Sequence, residues 1–116
     1  MRIIAGGVGK SEVIAVLTPL LEDGDTIKSG NDMDAAMALK TRQADYYLGT
    51  CHTGAGASLG VLVGLLGTAN CHTFGRKVPD DSTIKQAVAS GAVAFGFAID
   101  QVEEVAPRLY RALKGH

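Results

Sequence analysis

The sequence DYYLGTCHTGAGASLGVLVGLL occupies residues 45–66 and contains a complete unit of strand, loop and helix. Its first five residues are typical of a buried strand, and residues 55–66 have the apolar content and length of a helix. The loop between them, residues 49–58, is rich in glycine and hydroxyl side chains. The same succession of strand, loop and helix recurs along the chain, and residues 93–99 form an apolar run typical of a strand covered on both faces.

Five such units predict a single three-layer α/β domain over residues 1–116, with a mainly parallel five-stranded sheet of Rossmann/flavodoxin-like type. Right-handed crossovers place all strand-to-helix loops at the carboxyl edge of such a sheet, where ligands bind. The predicted strands are residues 1–5, 25–28, 45–49, 70–74 and 93–99. The predicted helices are residues 12–21, 31–41, 55–66, 79–91 and 100–113. Asn31 is the expected N-cap of the second helix, with Asp32 and Asp34 in its first turn, and Asp100 with Glu103 forms a capping-box-like pair ahead of the last helix.

Composition excludes several classes of protein. The chain has 116 residues, of which 47% are hydrophobic, and 11 Lys and Arg against 12 Asp and Glu give a net charge of -1. This balance argues against disorder, a nucleic-acid partner and an anionic-membrane surface. No charged residue lies between Asp45 and Arg76, but glycine and polar residues interrupt this stretch, so no membrane insertion is expected. Two cysteines and an N-terminus without a signal pattern predict a cytoplasmic protein.

The first strand-to-helix loop, GGVGKS at residues 6–11, predicts an anion site. The backbone amides of Gly7 and Gly9 and the charge of Lys10 would bind the anion at the start of a helix. The loop contains part of a Walker A motif, but Ile4 stands where that motif requires glycine. Anion binding without hydrolysis is therefore the functional interpretation, and a glycine turn with a solvated lysine is the alternative.

The third strand-to-helix loop is the most informative stretch for chemistry. Cys51 is a candidate nucleophile if a helix N-terminus lowers its pKa, and His52 is a candidate proton donor or acceptor. The alternatives are a small buried hydrophobic residue at Cys51 and a structural hydrogen bond at His52. Glycine amides and hydroxyl groups in this loop predict ligand contacts at Thr50, His52, Thr53, Gly54, Gly56 and Ser58.

The tripeptide Cys-His-Thr occurs at residues 51–53 and again at residues 71–73, and both copies are expected at the carboxyl edge. Two cysteines and two histidines are ligands that zinc accepts. Adjacent residues of an extended chain point in opposite directions, however, and no Cys-x-x-Cys spacing is present, so no metal site is predicted. No cofactor is identified. Arg76 or Lys77 could reach an anion in the same cleft.

Residues 45–49, residues 51–56, residues 94–97 and the segment 34–37 resemble the YhfU-like family of small uncharacterised bacterial proteins. The resemblance covers most of the chain, and the block from Asp-Tyr-Tyr to Gly-Ala-Gly is its most specific part. The family has no assigned activity, so the resemblance transfers no catalytic residue. Its members are similar to components of gene clusters with a predicted membrane transporter and metabolic enzymes, which implies small-molecule metabolism.

Three hypotheses follow. The first is a cytosolic domain that binds a small anionic metabolite at the first and third loops. The second is an enzymatic or phosphocarrier-like component of a transport or metabolic system that uses Cys51 or His52. The third is a non-catalytic oligomeric interaction subunit. In the third, the glycine stripe of Gly56, Gly60 and Gly64 would pack against another copy, although packing on the protein's own sheet is simpler.

Overall fold

The computed structural model describes residues 1–54 and 59–116, which form an all-parallel sheet of five strands in the order β2-β1-β3-β5-β4. The strands are β1 (Arg2–Gly7), β2 (Thr26–Ser29), β3 (Tyr46–Cys51), β4 (Cys71–Thr73) and β5 (Ala94–Ala98). The helices are α1 (Lys10–Leu17), α2 (Asp32–Lys40), α3 (Gly60–Leu66), α4 (Asp81–Ala89) and α5 (Val102–Lys114). The predicted parallel α/β architecture is confirmed.

Strand residues alternate between two apolar layers, as a period of two requires. Ile3 and Leu48 face the layer formed with α1, α4 and α5, whereas Ile4 and Tyr47 face the layer formed with α2 and α3. In β5 the first layer receives Phe95 and Phe97 and the second receives Ala94. The sheet is therefore covered on both faces, and its central strand β3 is buried between them.

Local sequence signals set several helix ends. The Asn31 side chain accepts from the Asp34 amide at 2.8 Å, which confirms the predicted N-cap of α2. Pro19 follows α1 in a 3-10 turn, Thr18–Leu20, which shortens the predicted helix. The expected capping pair of Asp100 and Glu103 is wrong, because a 3-10 turn, Ile99–Gln101, precedes α5.

Helix α3 turns its glycines outward. Gly60 and Gly64 are exposed, and a β-carbon added to either would meet nothing within 4 Å. Leu62, and not a glycine, is the buried residue of α3 that packs in the apolar layer against the sheet. The interpretation that these two glycines pack against the protein's own sheet is therefore wrong. None of the helices in the described residues is both long and apolar enough to cross a membrane.

Candidate functional site

Thr50 joins the loop after β1 to the loop after β3. Gly7, the last residue of β1, is paired with Thr50 in the register of the sheet. The Thr50 hydroxyl donates to the Gly6 carbonyl at 3.0 Å and accepts from the Gly9 amide at 2.6 Å. The Val8 amide donates to the Thr50 carbonyl at 3.1 Å. The two loops therefore form one continuous rim, which we call the Thr50 rim (residues 6–10 and 50–54).

The Thr50 rim lies where the chain changes direction in the sheet. Helix α1 leaves β1 towards one face, and the segment after β3 leads to α3 on the opposite face. The carboxyl edge beside two loops that diverge in this way is the usual ligand position in open parallel sheets.

Two glycines allow the close approach within this rim. Gly7 has a φ of 83°, and a β-carbon there would overlap the Thr50 carbonyl. A β-carbon at Gly9 would lie 2.9 Å from Cγ1 of Ile99, which follows β5. The loop after β5 therefore packs on the rim as well, a contact that no motif in the sequence indicated.

Some of the groups predicted to contact a ligand are already hydrogen-bonded within the rim. Thr50 is only 1% exposed, and its hydroxyl already donates and accepts within the protein. The Gly9 amide is likewise bonded to Thr50. Lys10, His52 and Thr53 are exposed at the same edge. The structure therefore separates a buried supporting layer from exposed polar side chains above it.

Cys51 and Gly54 tie the rim to the loop after β4. The Gly54 amide donates to the buried Cys51 sulfur at 3.0 Å. Gly54 has a φ of 72°, and a β-carbon there would overlap the Gly75 carbonyl oxygen. The Gly75 amide in turn donates to the Gly54 carbonyl at 3.1 Å. Both alternatives considered for Cys51 remain open, because a buried sulfur at this edge fits a structural role and a chemical one.

A tyrosine–carboxylate pair supports the opposite side of β1. The buried Tyr47 hydroxyl donates to Asp32 Oδ1 at 2.9 Å, and a β-carbon at Gly6 would overlap that hydroxyl. Burial is the main reason that the pKa of the Tyr47 hydroxyl is raised, and the neighbouring Asp32 carboxylate raises this pKa further. The sequence identified Asp32 only as a favourable carboxylate in the first turn of α2, so its contact beneath Gly6 was missed.

The two Cys-His-Thr tripeptides do not meet. Cys51 ends β3 and pairs with Ala98, whereas Cys71 begins β4 and pairs with Ala94 two strands away. Strand spacing and rise place the two cysteines about 16 Å apart. The expectation that the second tripeptide lies wholly at the carboxyl edge is therefore wrong. Burial raises the pKa of the Cys71 thiol and lowers that of His72.

In the part of the chain that the structure describes, no three His, Cys, Asp or Glu side chains are grouped so as to hold a metal ion.

The loop after β4 carries two exposed cations, Arg76 and Lys77. Its backbone is fixed from the start of α5, because the Gln101 side-chain amide donates to the Arg76 carbonyl. This bond places the cationic segment, which directly follows Gly75 in the same loop, beside the turn after β5. Gly56 and Ser58, the remaining predicted ligand contacts, lie outside the described residues.

A family model described as "Protein of unknown function DUF2620" matches residues 1–113 of the chain. The chain belongs to the DUF2620 family. The uncharacterised protein YhfU of Escherichia coli K12 is 42% identical over 87 residues, which cover 72% of this chain and 74% of YhfU. A protein of the same description from Shigella flexneri matches equally well. The resemblance to YhfU-like proteins is confirmed.

Two solved structures share the fold of this DUF2620 protein. A ribose 5-phosphate isomerase B from Thermotoga maritima superposes with a TM-score of 0.71 at 10% identity, covering 97% of this chain and 85% of the isomerase. The ribose-5-phosphate isomerase B of Giardia lamblia gives a TM-score of 0.69 at 14% identity, covering 97% of this chain and 92% of that isomerase. At these identities the likeness establishes the three-layer α/β fold of Rossmann/flavodoxin-like type.

Proposed function

We propose that the chain binds a small anionic metabolite at the carboxyl edge of the sheet, above the Thr50 rim. The observation that carries this proposal is the Thr50 hydroxyl, which bonds to both Gly6 and Gly9 and so holds the first and third loops together. A rigid floor of this kind spares a ligand the entropic cost of ordering two separate loops.

Buried residues shape the floor of the proposed site, and exposed side chains above it supply the groups that contact the ligand. Thr50, Gly7, Gly9 and Gly54 shape the floor, and Lys10 supplies positive charge at the first turn of α1. Lys10 makes no ion pair with any described residue, so its ammonium group is available to an anion. His52 and Thr53 add polar groups from the third loop, with His52 orienting the ligand or moving a proton.

Sugar phosphates are the first ligand class to test. Two proteins with this fold are named as isomerases of ribose 5-phosphate. A compact phosphorylated polyol also suits an edge that offers one nearby cation and several hydrogen-bonding groups.

Thermal unfolding in the presence of ligands tests the proposal. The panel is ribose 5-phosphate, glucose 6-phosphate, adenosine monophosphate, free amino acids and inorganic phosphate. We expect at least one phosphorylated compound to raise the Tm in a concentration-dependent manner. A panel in which no compound shifts the Tm would contradict the proposal.

Matched lysine variants locate the ligand. Lys10→Ala is expected to weaken binding of the phosphorylated compound about tenfold, which corresponds to one lost charge-assisted contact. Lys40→Ala is the control, because Lys40 is also exposed but ends α2 at the opposite edge of the sheet. Equal affinities of the two variants would place the ligand elsewhere.

A second candidate function is enzymatic, and the contact between the Gly54 amide and the Cys51 sulfur favours it. An amide N–H directed at sulfur stabilises the thiolate form of a cysteine, and thiolate is the reactive form. Cys51→Ala is expected to abolish turnover of a ligand found in the panel while leaving its affinity within about twofold. Full turnover by this variant would exclude a reactive thiol.

A further inference from the structure

A basic groove lies between α4 and α5, far from the Thr50 rim in sequence. It has a volume of about 560 Å³, and Lys85, Arg108, Arg111 and His116 line it. Its apolar floor is Val88 and Ala112. The carboxylate of Asp81, which also lines it, is already paired with Arg108 at 2.8 Å. Lys85 and Arg111 have no ion pair with any described residue, so the groove presents unbalanced positive charge.

An acidic groove lies on the other side of α5, against α1. It has a volume of about 530 Å³, and its four carboxylates come from Glu12, Asp100, Glu103 and Glu104. No Lys or Arg lines this groove, and none of the four carboxylates forms an ion pair within residues 1–54 and 59–116. Its apolar side chains are those of Ala15, Val16, Ile99 and Val102.

The helix dipole explains only part of this charge separation. Carboxylates in the first turn of α5 and cations in its last turn are individually favourable. Glu12 belongs to α1 and Lys85 to α4, however, and each adds to the charge of like sign on α5. Neighbouring elements therefore reinforce the asymmetry beyond what α5 alone requires.

The two grooves are similar in volume and in apolar content, and they carry charges of opposite sign. One lies at the beginning of α5 on its α1 side, and the other lies at the end of α5 on its α4 side. A two-fold axis that lies in the plane of this face, crosses the middle of α5 and is perpendicular to the line between the grooves therefore sets each acidic groove against the basic groove of a second copy. An interface of this symmetry makes the same contact twice.

We propose that the face formed by α1, α5 and α4 is a homodimer interface in which Glu103 and Glu104 of one copy enter the Lys85–Arg111 groove of the other. Complementary charge sets the register and speeds association, and the apolar floors supply buried area. The net charge of -1 leaves little overall repulsion between copies. Ile99 lines the acidic groove and also packs on Gly9, so the interface adjoins the Thr50 rim.

Sedimentation equilibrium of the full chain tests this proposal. We expect a dimer at about 100 µM protein in about 25 mM NaCl, with a Kd that rises about tenfold or more in about 500 mM NaCl, because salt screens exposed charges. A monomer under the low-salt condition would overturn the proposal. A dimer with a Kd that salt leaves unchanged would also overturn it.

Charge-reversal variants identify the contact. K85E/R111E and E103K/E104K are each expected to be monomeric, since each sets like charges against one another in both halves of the interface. An equimolar mixture is expected to form a heterodimer, because the two altered grooves again carry opposite charges. The substituted residues are exposed, and circular dichroism of each variant checks the fold.

Two results of the mixing experiment would contradict the proposal. Folded variants that remain dimeric on their own would assign association to another face, such as the exposed side of α3. Monomeric variants that fail to associate when mixed would show that the two grooves do not face each other. Should either variant fail to fold, K85Q/R111Q and E103Q/E104Q replace the pair, and each is expected to weaken wild-type dimerisation about tenfold.

Discussion

The two edges of the sheet are held together by different chemistry. At the amino edge, Asp25 accepts bonds from the N-terminal ammonium of Met1, from Tyr110 and from Lys114. At the carboxyl edge, the uncharged Thr50 hydroxyl and backbone groups make the corresponding links. The buried Asp25 carboxylate is thus fully used by structural bonds at the amino edge, whereas Lys10 stays unpaired among the described residues at the carboxyl edge. This difference is the physical reason for placing a ligand at the carboxyl edge.

The largest expected effect comes from Gly7→Ala in the Thr50 rim. The added β-carbon would overlap the Thr50 carbonyl in a residue whose φ is 83°, so we expect a loss of about 3 kcal/mol in the free energy of unfolding. Gly24→Ala is the matched control, because Gly24 has a φ of 89° but open space around it. Urea denaturation should give a loss of only about 1 kcal/mol there. Equal losses would show that the rim is not closely packed.

The amino edge is tested by Asp25→Asn. The side chain of Asp25 is 1% exposed, and its neutralisation leaves two cationic groups without their partner. We expect the free energy of unfolding to fall by about 2 kcal/mol. Asp23→Asn, an exposed neighbour, is expected to change it by less than about 0.5 kcal/mol. An unchanged free energy of unfolding in Asp25→Asn would mean that the cluster adds nothing to stability.

The same cluster predicts a pH dependence. Bonds from the N-terminal ammonium and the Tyr110 hydroxyl hold the pKa of Asp25 well below its ordinary value of 3.8. A carboxylate with a depressed pKa contributes stability above its unfolded pKa and loses it as the pH falls further. We therefore expect wild-type protein to lose more stability than Asp25→Asn between about pH 5 and pH 2.5. Parallel pH profiles of the two proteins would contradict this expectation.

Thr50→Val tests the link between the two loops at the carboxyl edge, and its expected effect on stability is smaller. Thr50→Val keeps the shape of the side chain but removes the partner of the Gly9 amide and the Gly6 carbonyl. We expect a loss of about 1–2 kcal/mol and faster hydrogen exchange at the Gly9 amide. Thr50→Ser retains the hydroxyl and should leave that exchange rate near its wild-type value. Similar exchange in both variants would remove Thr50 from its linking role.

Much of the fold could be predicted because local patterns agreed with the tertiary structure. The apolar run of β5, the Asn31 cap of α2 and the alternation of strands with helices all identified their elements correctly. The shared edge of the first and third loops followed from right-handed crossovers alone. The order of β4 and β5 could not be read in this way, because an edge strand of three residues carries too little pattern to fix its neighbours.

Details of the site depended on contacts between distant residues. A threonine at the end of a strand predicts a free hydroxyl donor, but at Thr50 the hydroxyl is consumed by Gly6 and Gly9. The first Cys-His-Thr has only Cys51 in β3 and continues into the loop, whereas the second forms the whole of β4. The contact of Ile99 with Gly9 joins residues 90 positions apart, and no local motif encodes it.

Mapping of backbone amide chemical shifts shows at which edge of the sheet an anionic ligand binds. Uniformly labelled protein is titrated with ribose 5-phosphate and, separately, with inorganic phosphate. We expect saturable shift changes concentrated at residues 7–11 and 50–54, with residues 23–26 unchanged. Changes concentrated at the amino edge, or no saturable change with either compound, would contradict the proposal.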